Sequence, residues 1–403
     1  MKRREFLSWS GRAVLGLSIW QANADVVHGR TGPSGGQLRL FLAGDLMTGR
    51  GIDQVLAHSV DPVLHEPYVK DARRYVELAE TENGEIRAPV SYRYPWGDAL
   101  EVLEEIDPAA RIVNLETSVT TSDDWWRGKG IHYRMHPENA RLLTVAGLDA
   151  CTLGNNHVLD WGHEGLLETI ATLERAGIAV PGAGRSEAEA SEPAVLEPES
   201  GRLLIFSYGT PSAGVPRDWQ ATAERAGVNV LPQLGERQIA RVTEKVERHR
   251  RDGDRVIVSL HWGGNWGYEV PQEQQEFAHR LIDAGAADVV HGHSSHHPKA
   301  IEVYRGRPIL YGAGDLFNDY EGIGGHPEFR SEITLMYFPE LDRSGSLASL
   351  EMAPMRIRCF RLEQAGDEEA RWIGQRLDRE CRRFGGRVEL TSEGRLALRW
   401  NEA

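Results

Sequence analysis

Five short apolar runs in this chain each close on a residue that can bind a metal. This pattern constrains the fold more than any other feature. LRLFLAGD (38–45) delivers Asp45, and ARIVNLE (110–116) delivers Glu116. LDACTLGNNH (148–157) delivers Asn156 and His157, and RVIVSLHW (255–262) delivers His261. ADVVHGHSSHH (287–297) delivers His293 and His296. A short apolar stretch closed by turn residues reads as a buried strand. Open α/β sheets collect ligands at the carboxyl ends of their strands. One sheet is therefore expected to carry all these oxygen and nitrogen donors to one edge.

The segments between the runs read as helices, which argues α/β with parallel strands at the centre. GRGIDQVLAHS, WGDALEVLEEIDP, PENARLLTVAGLD and HEGLLETIATLERAGI have helical spacing, the last two closed by Gly147 and Gly177. LGERQIARVTEKVERHRRDGD is a long charged helix, and PQEQQEFAHRLIDAGA opens on Pro and stops at Gly285. Residues 59–97 carry four prolines and read as a long excursion over the site, helical in the middle. AIEVYRGRPILYGAGD reads as a hairpin. EITLMYFPEL, MRIRCFRLE, RVELTS and RLALRW read as later strands, with a charged helix at 367–384. These are expected to finish a second, antiparallel sheet packed on the first.

With 403 residues the chain can bury a large core. Its formal charge of −14 argues against a basic face for duplex nucleic acid, so no nucleic-acid partner is expected. Cys151, Cys359 and Cys381 have no CxxC spacing and define neither a disulfide framework nor a zinc knuckle. The start, MKRREFLSWSGRAVLGLSIWQANAD, has a basic head, a modest apolar stretch and Ala-Asn-Ala at 22–24. That is the layout of a secretory signal over residues 1–24, and Arg3-Arg4-x-Phe6-Leu7 resembles the bacterial twin-arginine type. The expected protein is exported to the periplasm or cell envelope. A linker follows over 25–36, and one folded domain spans 37–403, with 342–403 completing the second sheet.

Carboxylate, carboxamide and imidazole without thiolate suit Mn, Fe or Zn, held as one or two divalent ions. Glu116 could bridge such a pair. In GNNHVLDWG (154–162), Asn156 can offer its carbonyl oxygen to a metal while His157 donates a proton to a leaving group. Asp160 can orient that imidazole, although Asn and Asp also serve simply as helix caps. His293 and His296 can converge on one centre if their loop turns; His291 and His297 are expected to face elsewhere. Arg50 could fork a phosphate or carboxylate. Trp125, Trp126, Trp262 and Trp266 are candidates for a substrate wall, with Trp262 beside His261 taken as substrate-binding.

Seven segments in order, GDLMTGR (44–50), NLE (114–116), GNNHVLDWG, PGAG (181–184), HWG (261–263), GHSSHHPKAIE (292–302) and YGAGDLFND (311–319), resemble the CapA family of poly-gamma-glutamate capsule synthesis proteins, within the calcineurin-like metallophosphatase superfamily. The resemblance implies a double β-sandwich flanked by helices, a four-layer α/β/β/α fold. It implies metal ligation by Asp45, Glu116, Asn156, His261, His293 and His296, with His157 as the acid-like residue. Met47 stands where the superfamily pattern has His, and Glu116 where it has a bridging Asp. Asp315 stands where the family often has Asn; it could restore a ligand or bind substrate. Three functions follow as expectations: a metal-dependent hydrolase of a phosphoester or related polymer linkage, a non-catalytic factor binding or exporting anionic polyglutamate, and amide-bond chemistry on that polymer. Capsule machinery at the membrane is the expected partner.

Overall fold

The computed structural model describes residues 37–401; the signal and linker readings lie outside the described residues. Six strands carry the architecture: β1 (Leu38–Leu46), β2 (Ala110–Leu115), β3 (Ala150–Thr152), β4 (Leu203–Gly209), β5 (Arg255–His261) and β6 (Val289–His293). β1, β2 and β3 run parallel in a nine-stranded sheet. β4, β5 and β6 run parallel in a six-stranded sheet. The five donor-bearing runs are thus divided between two sheets, not gathered on one. A short apolar run reports that a strand is buried, but carries no information on which strand it pairs with.

The two sheets pack face to face. Leu38, Leu40 and Leu42 of β1 share a core with Ile112, Ala150, Leu203, Ile205, Ile257 and Val289. The outer face of the larger sheet, with Phe41, Ala43 and Val113, packs on Leu100, Leu103, Leu166 and Ile170 from helices Ala99–Ile106 and Gly162–Arg175. The outer face of the smaller sheet, with Phe206, Val258 and Leu260, packs on helices Glu236–His249 and Gln272–Asp283. Glu236–His249 buries Ile239, Val242 and Val246, the i, i+3, i+7 stripe that lays one helix face on a sheet. The order of layers is helix, sheet, sheet, helix: an α/β double sandwich.

The strands after residue 342 do not finish a second antiparallel sheet. Leu347–Arg358, Arg361–Gln364, Gly386–Leu390 and Leu396–Trp400 extend the sheet of β1 through the antiparallel strand Ile333–Leu341. MRIRCFRLE is not one strand, because Cys359 and Phe360 both adopt positive φ (54° and 58°) and turn the chain back on itself. The hairpin Ile301–Tyr304 and Arg307–Leu310 joins the smaller sheet beside β6, turning on Arg305 and Gly306. Helix Asp367–Cys381 places Ile373, Leu377 and Cys381 in the core between the sheets. No helix among the described residues is long and apolar enough to cross a membrane.

Candidate metal centre

The inter-sheet face changes chemistry along the strands. At the amino-terminal half it presents Leu42, Ile112, Ala150, Ile257 and Val289. Two residues further along the same faces stand Asn114, Thr152, Ser259 and His291, and beyond them Glu116, His261 and His293, all buried. Strict alternation carries each side chain into this gap.

Asp45 needs one additional device. The β1–β2 register shifts between Ala43 and Asp45, leaving Gly44 as a bulge. Without it, Asp45 would follow Phe41 and Ala43 toward the helix layer; with it, Asp45 turns inward and Leu46 packs outward. Gly44 is required there because a Cβ would lie 1.8 Å from the carbonyl oxygen of Gly314. That carbonyl accepts the Asp45 N–H at 2.9 Å.

Two groups of donors result. Asp45, His261 and His293 form one; Asp45, His296 and Asp315 form the other. Asp45 belongs to both groups, and Glu116, expected as a bridging carboxylate, to neither. Asp315 pairs in register with Asp45 from strand Asp315–Phe317, and so stands among the donors instead of lining a substrate wall. It supplies a carboxylate to a site whose first block has the thioether of Met47 in place of an imidazole. Glu116 stands one position back: its Oε2 is 3.8 Å from His261 Nδ1 and its Oε1 is 3.7 Å from His157 Nε2. The Asn114 amide donates to both Asp45 Oδ1 (2.7 Å) and Glu116 Oε2 (3.1 Å).

The donor set fits a cation. His261 Nδ1 and His293 Nδ1 are 2.8 Å apart, and they lie 4.0 and 3.8 Å from Asp45 Oδ1. Those last two distances are too long for hydrogen bonds. The outer nitrogens are already engaged: His261 Nε2 is 3.1 Å from Asn156 Oδ1, and His293 Nε2 is 2.8 Å from Ser259 Oγ. With those outer nitrogens protonated, two imidazole lone pairs and a carboxylate face a common point. Burial, then Asp315, raises the Asp45 carboxyl above its ordinary range; burial, then Asp45, raises Glu116 well above its own. Burial pushes His261 and His293 well below theirs. Alone, the cluster resists carboxylate charge and keeps its rings neutral; an added cation would relieve the first tendency and use the second, since only neutral imidazole can ligate.

His157 and Asp160 are brought together. His157 Nδ1 lies 2.6 Å from Asp160 Oδ2, and Lys129 Nζ donates to Asp160 Oδ1 and to the Asn156 carbonyl. Burial, then the Lys129 charge, pushes His157 down to about 4. Burial opposes ionisation of Asp160, but Lys129 and His157 outweigh it and hold the carboxyl low. Nδ1 of His157 is thereby occupied and Nε2 faces the centre. His296 is held by Asp315 at 2.9 Å on one nitrogen and by Asn265 at 3.0 Å on the other. Burial lowers and Asp315 raises its basicity, and the carboxylate prevails.

Two expected site residues are placed differently. Arg50 does fork a carboxylate, but a protein one: Nε donates to Asp319 Oδ2 at 3.1 Å and Nη2 pairs with Oδ1, while Nη1 reaches Glu66 at 3.0 Å. It is 4% exposed, clamped between the rings of Tyr75 and Tyr133. Trp262 follows inward-facing His261, so alternation sends it outward into the helix layer, where it is 2% exposed and donates to the Tyr311 carbonyl at 3.0 Å. Of the four tryptophans, Trp266 lines the open side of the centre, 5.4 Å from the His296 ring. Sequence reading missed Lys129, Asn114, Ser259 and Asn265. Lys129 lies in the TSDDWWRGKGIHY segment, where nothing marks one cation over its neighbours.

The chain matches the family described as bacterial capsule synthesis protein PGA_cap over residues 39–320, the span containing every donor named above. The chain belongs to that family. A relative in Mycobacterium tuberculosis, named a probable polyglutamine synthesis accessory protein, is 47% identical over 362 residues, covering 89% of this chain and 95% of that one. The PGA biosynthesis protein CapA of Bacillus subtilis is 28% identical over 264 residues, 64% of each chain. The capsule biosynthesis protein CapA of Bacillus anthracis is 24% identical over 230 residues, 57% of this chain and 53% of that one. A crystal structure of a hypothetical protein from Thermus thermophilus aligns with a TM-score of 0.42 at 19% identity, over 79% of this chain and 99% of that one. Membership in the PGA_cap family thus groups this chain with proteins named for capsule synthesis, PGA biosynthesis and polyglutamine synthesis.

Proposed function

We propose that this PGA_cap protein is a metal-dependent hydrolase acting on a phosphoester or a related linkage in capsule-polymer synthesis. One observation carries the reading: Asp45 is common to two converging donor groups, His261 with His293 and His296 with Asp315. Mn, Fe and Zn suit such oxygen and nitrogen donors. One or two bound ions would supply Lewis-acid polarisation of the scissile group and charge stabilisation. The chain's own residues do the rest. Asp160 accepts from His157 Nδ1 and fixes the ring with Nε2 toward the centre. Lys129 holds Asp160 ionised and ties it to the Asn156 backbone. His157 Nε2, unprotonated while Nδ1 donates to Asp160, would take a proton from the attacking water and return it to the departing oxygen as the ester bond breaks. Asn156 Oδ1, Asn114 and Ser259 orient the inner ligands, and Asn265 orients His296. From the twin-arginine-type start we infer that this activity lies outside the cytoplasmic membrane.

The test is elemental analysis followed by turnover. Purified protein should hold Mn, Fe or Zn near stoichiometrically and cleave an activated phosphodiester, and Glu116→Ala and His261→Ala should lose that activity while staying folded. Cleavage of a γ-glutamyl peptide in place of the diester would assign amide chemistry. Metal-free protein that binds polyglutamate without turnover would assign a scaffold.

A further inference from the structure

His296, alone among the proposed donors, lines a cleft of about 1080 Å³ together with Trp266 and Tyr320. Three arginines line it, and each is tied to protein carboxylate: Arg50 to Asp319 and Glu66, Arg330 to Glu332 at 2.8 Å, and Arg356 to Glu369 at 3.0 Å. Four glutamates line it as well: Glu66, Glu82, Glu321 and Glu332. The wall therefore offers no surplus positive charge, and a chain bearing a carboxylate on every residue would meet like charge along it. The rim has a second property. Among the described residues, seven large hydrophobic side chains are exposed; three of them, Tyr68 (94%), Ile131 (36%) and Ile323 (45%), line this cleft. They come from three separate loops, so no single local sequence explains their convergence. Exposed apolar groups gathered around a polar centre mark a ligand site.

We propose that the cleft receives an uncharged, partly apolar group carried on a single anionic centre, an alkyl or glycosyl ester, and that it disfavours polyanions such as polyglutamate. The proposal rests on the metal-centre reading above, since it is the anionic end that would sit beside His296, where the donor groups meet the cleft. The test is calorimetric titration of the Mn²⁺-supplemented protein with hydrolysis-resistant probes. Methylphosphonate sets the baseline; octylphosphonate and a glucosyl phosphonate carry the two candidate groups; γ-glutamyl oligomers of increasing length carry repeated charge. At least one of the larger phosphonates should bind about tenfold tighter than methylphosphonate, the scale of burying about two methylene groups. The double variant Ile131→Ser/Ile323→Ser, altered only at exposed positions, should remove that gain and leave methylphosphonate unchanged. Which phosphonate gains tells alkyl from glycosyl. Affinity for γ-glutamyl oligomers should stay flat with length. Methylphosphonate that binds with neither larger phosphonate gaining overturns the cleft assignment alone. Affinity rising with γ-glutamyl length does the same. No binding of any phosphonate overturns both the cleft assignment and the phosphoester centre.

Discussion

Asp45→Asn is the most informative single change, because one carboxylate serves both donor groups. An ion held at 100 times its Kd stabilises the folded state by about 2.7 kcal/mol. Unfolding entropy near 2.1 cal/mol/K per residue, applied to the folded span 37–401, gives roughly 0.8 kcal/mol/K. Each ion should therefore raise Tm by about 3–4 °C, and two ions by about 7 °C. Asp45→Asn should abolish the whole rise, since Asn brings no charge and can present only one oxygen. His293→Ala and Asp315→Asn each touch one group, so each should remove about half of the rise and one equivalent of metal. Scanning calorimetry with and without Mn²⁺, beside elemental analysis, measures both quantities. An Asp45→Asn protein with the wild-type shift would refute the shared-ligand argument. Asp315→Asn protein with unaltered stoichiometry would remove the second group.

Three further outcomes are expected. Arg50→Met strands Glu66 and Asp319 in a buried place and should cost about 3–5 kcal/mol in urea unfolding; a loss under about 1 kcal/mol would show the pair to be solvated. Gly44→Ala forces a Cβ onto the Gly314 carbonyl and should both destabilise the fold and halve metal content, because the contact that aligns Asp315 with Asp45 must give way; wild-type metal content would refute this. In metal-free protein His157 stays neutral down to about 4, whereas the unfolded chain takes up its proton near 6.5. Stability from this residue is therefore unaffected above 6.5 and lost as pH falls toward 4, and His157→Gln should flatten that part of the pH–stability curve; an unchanged slope would place the acid sensitivity elsewhere.

The donor-bearing strand ends were legible because a buried parallel strand writes itself as an apolar run and its last residue is held by the turn. Their division between two sheets was not legible, because Ile112 and Ile257 look alike in sequence whichever sheet they enter. The bulge was hidden for a related reason. Gly44 is one of 43 glycines, and only the approach of Gly314 distinguishes it. The Cys359–Phe360 turn defied local preference, since neither residue favours positive φ. Trp262 and Trp266 could not be separated by type; the parity of His261 sends one outward, and the loop leads the other to the cleft. Asp315 carried two uses in the sequence, and only its pairing with Asp45 chose between them.

The gap between the sheets is oily at one end and ionic at the other, and the two halves answer to different solvents. Leu42, Ile112, Ile257 and Val289 need only water's absence, so that end stays closed under any chelator. Asp45, His261 and His293 hold opposite lips of the same seam and share no direct hydrogen bond between carboxylate and ring. Withdrawal of a cation would thus loosen the seam at the ligand end, where the Ser294 N–H to Asp45 Oδ2 bond at 3.1 Å still joins the two lips, giving amide exchange that quickens near these residues while the opposite end keeps its protection.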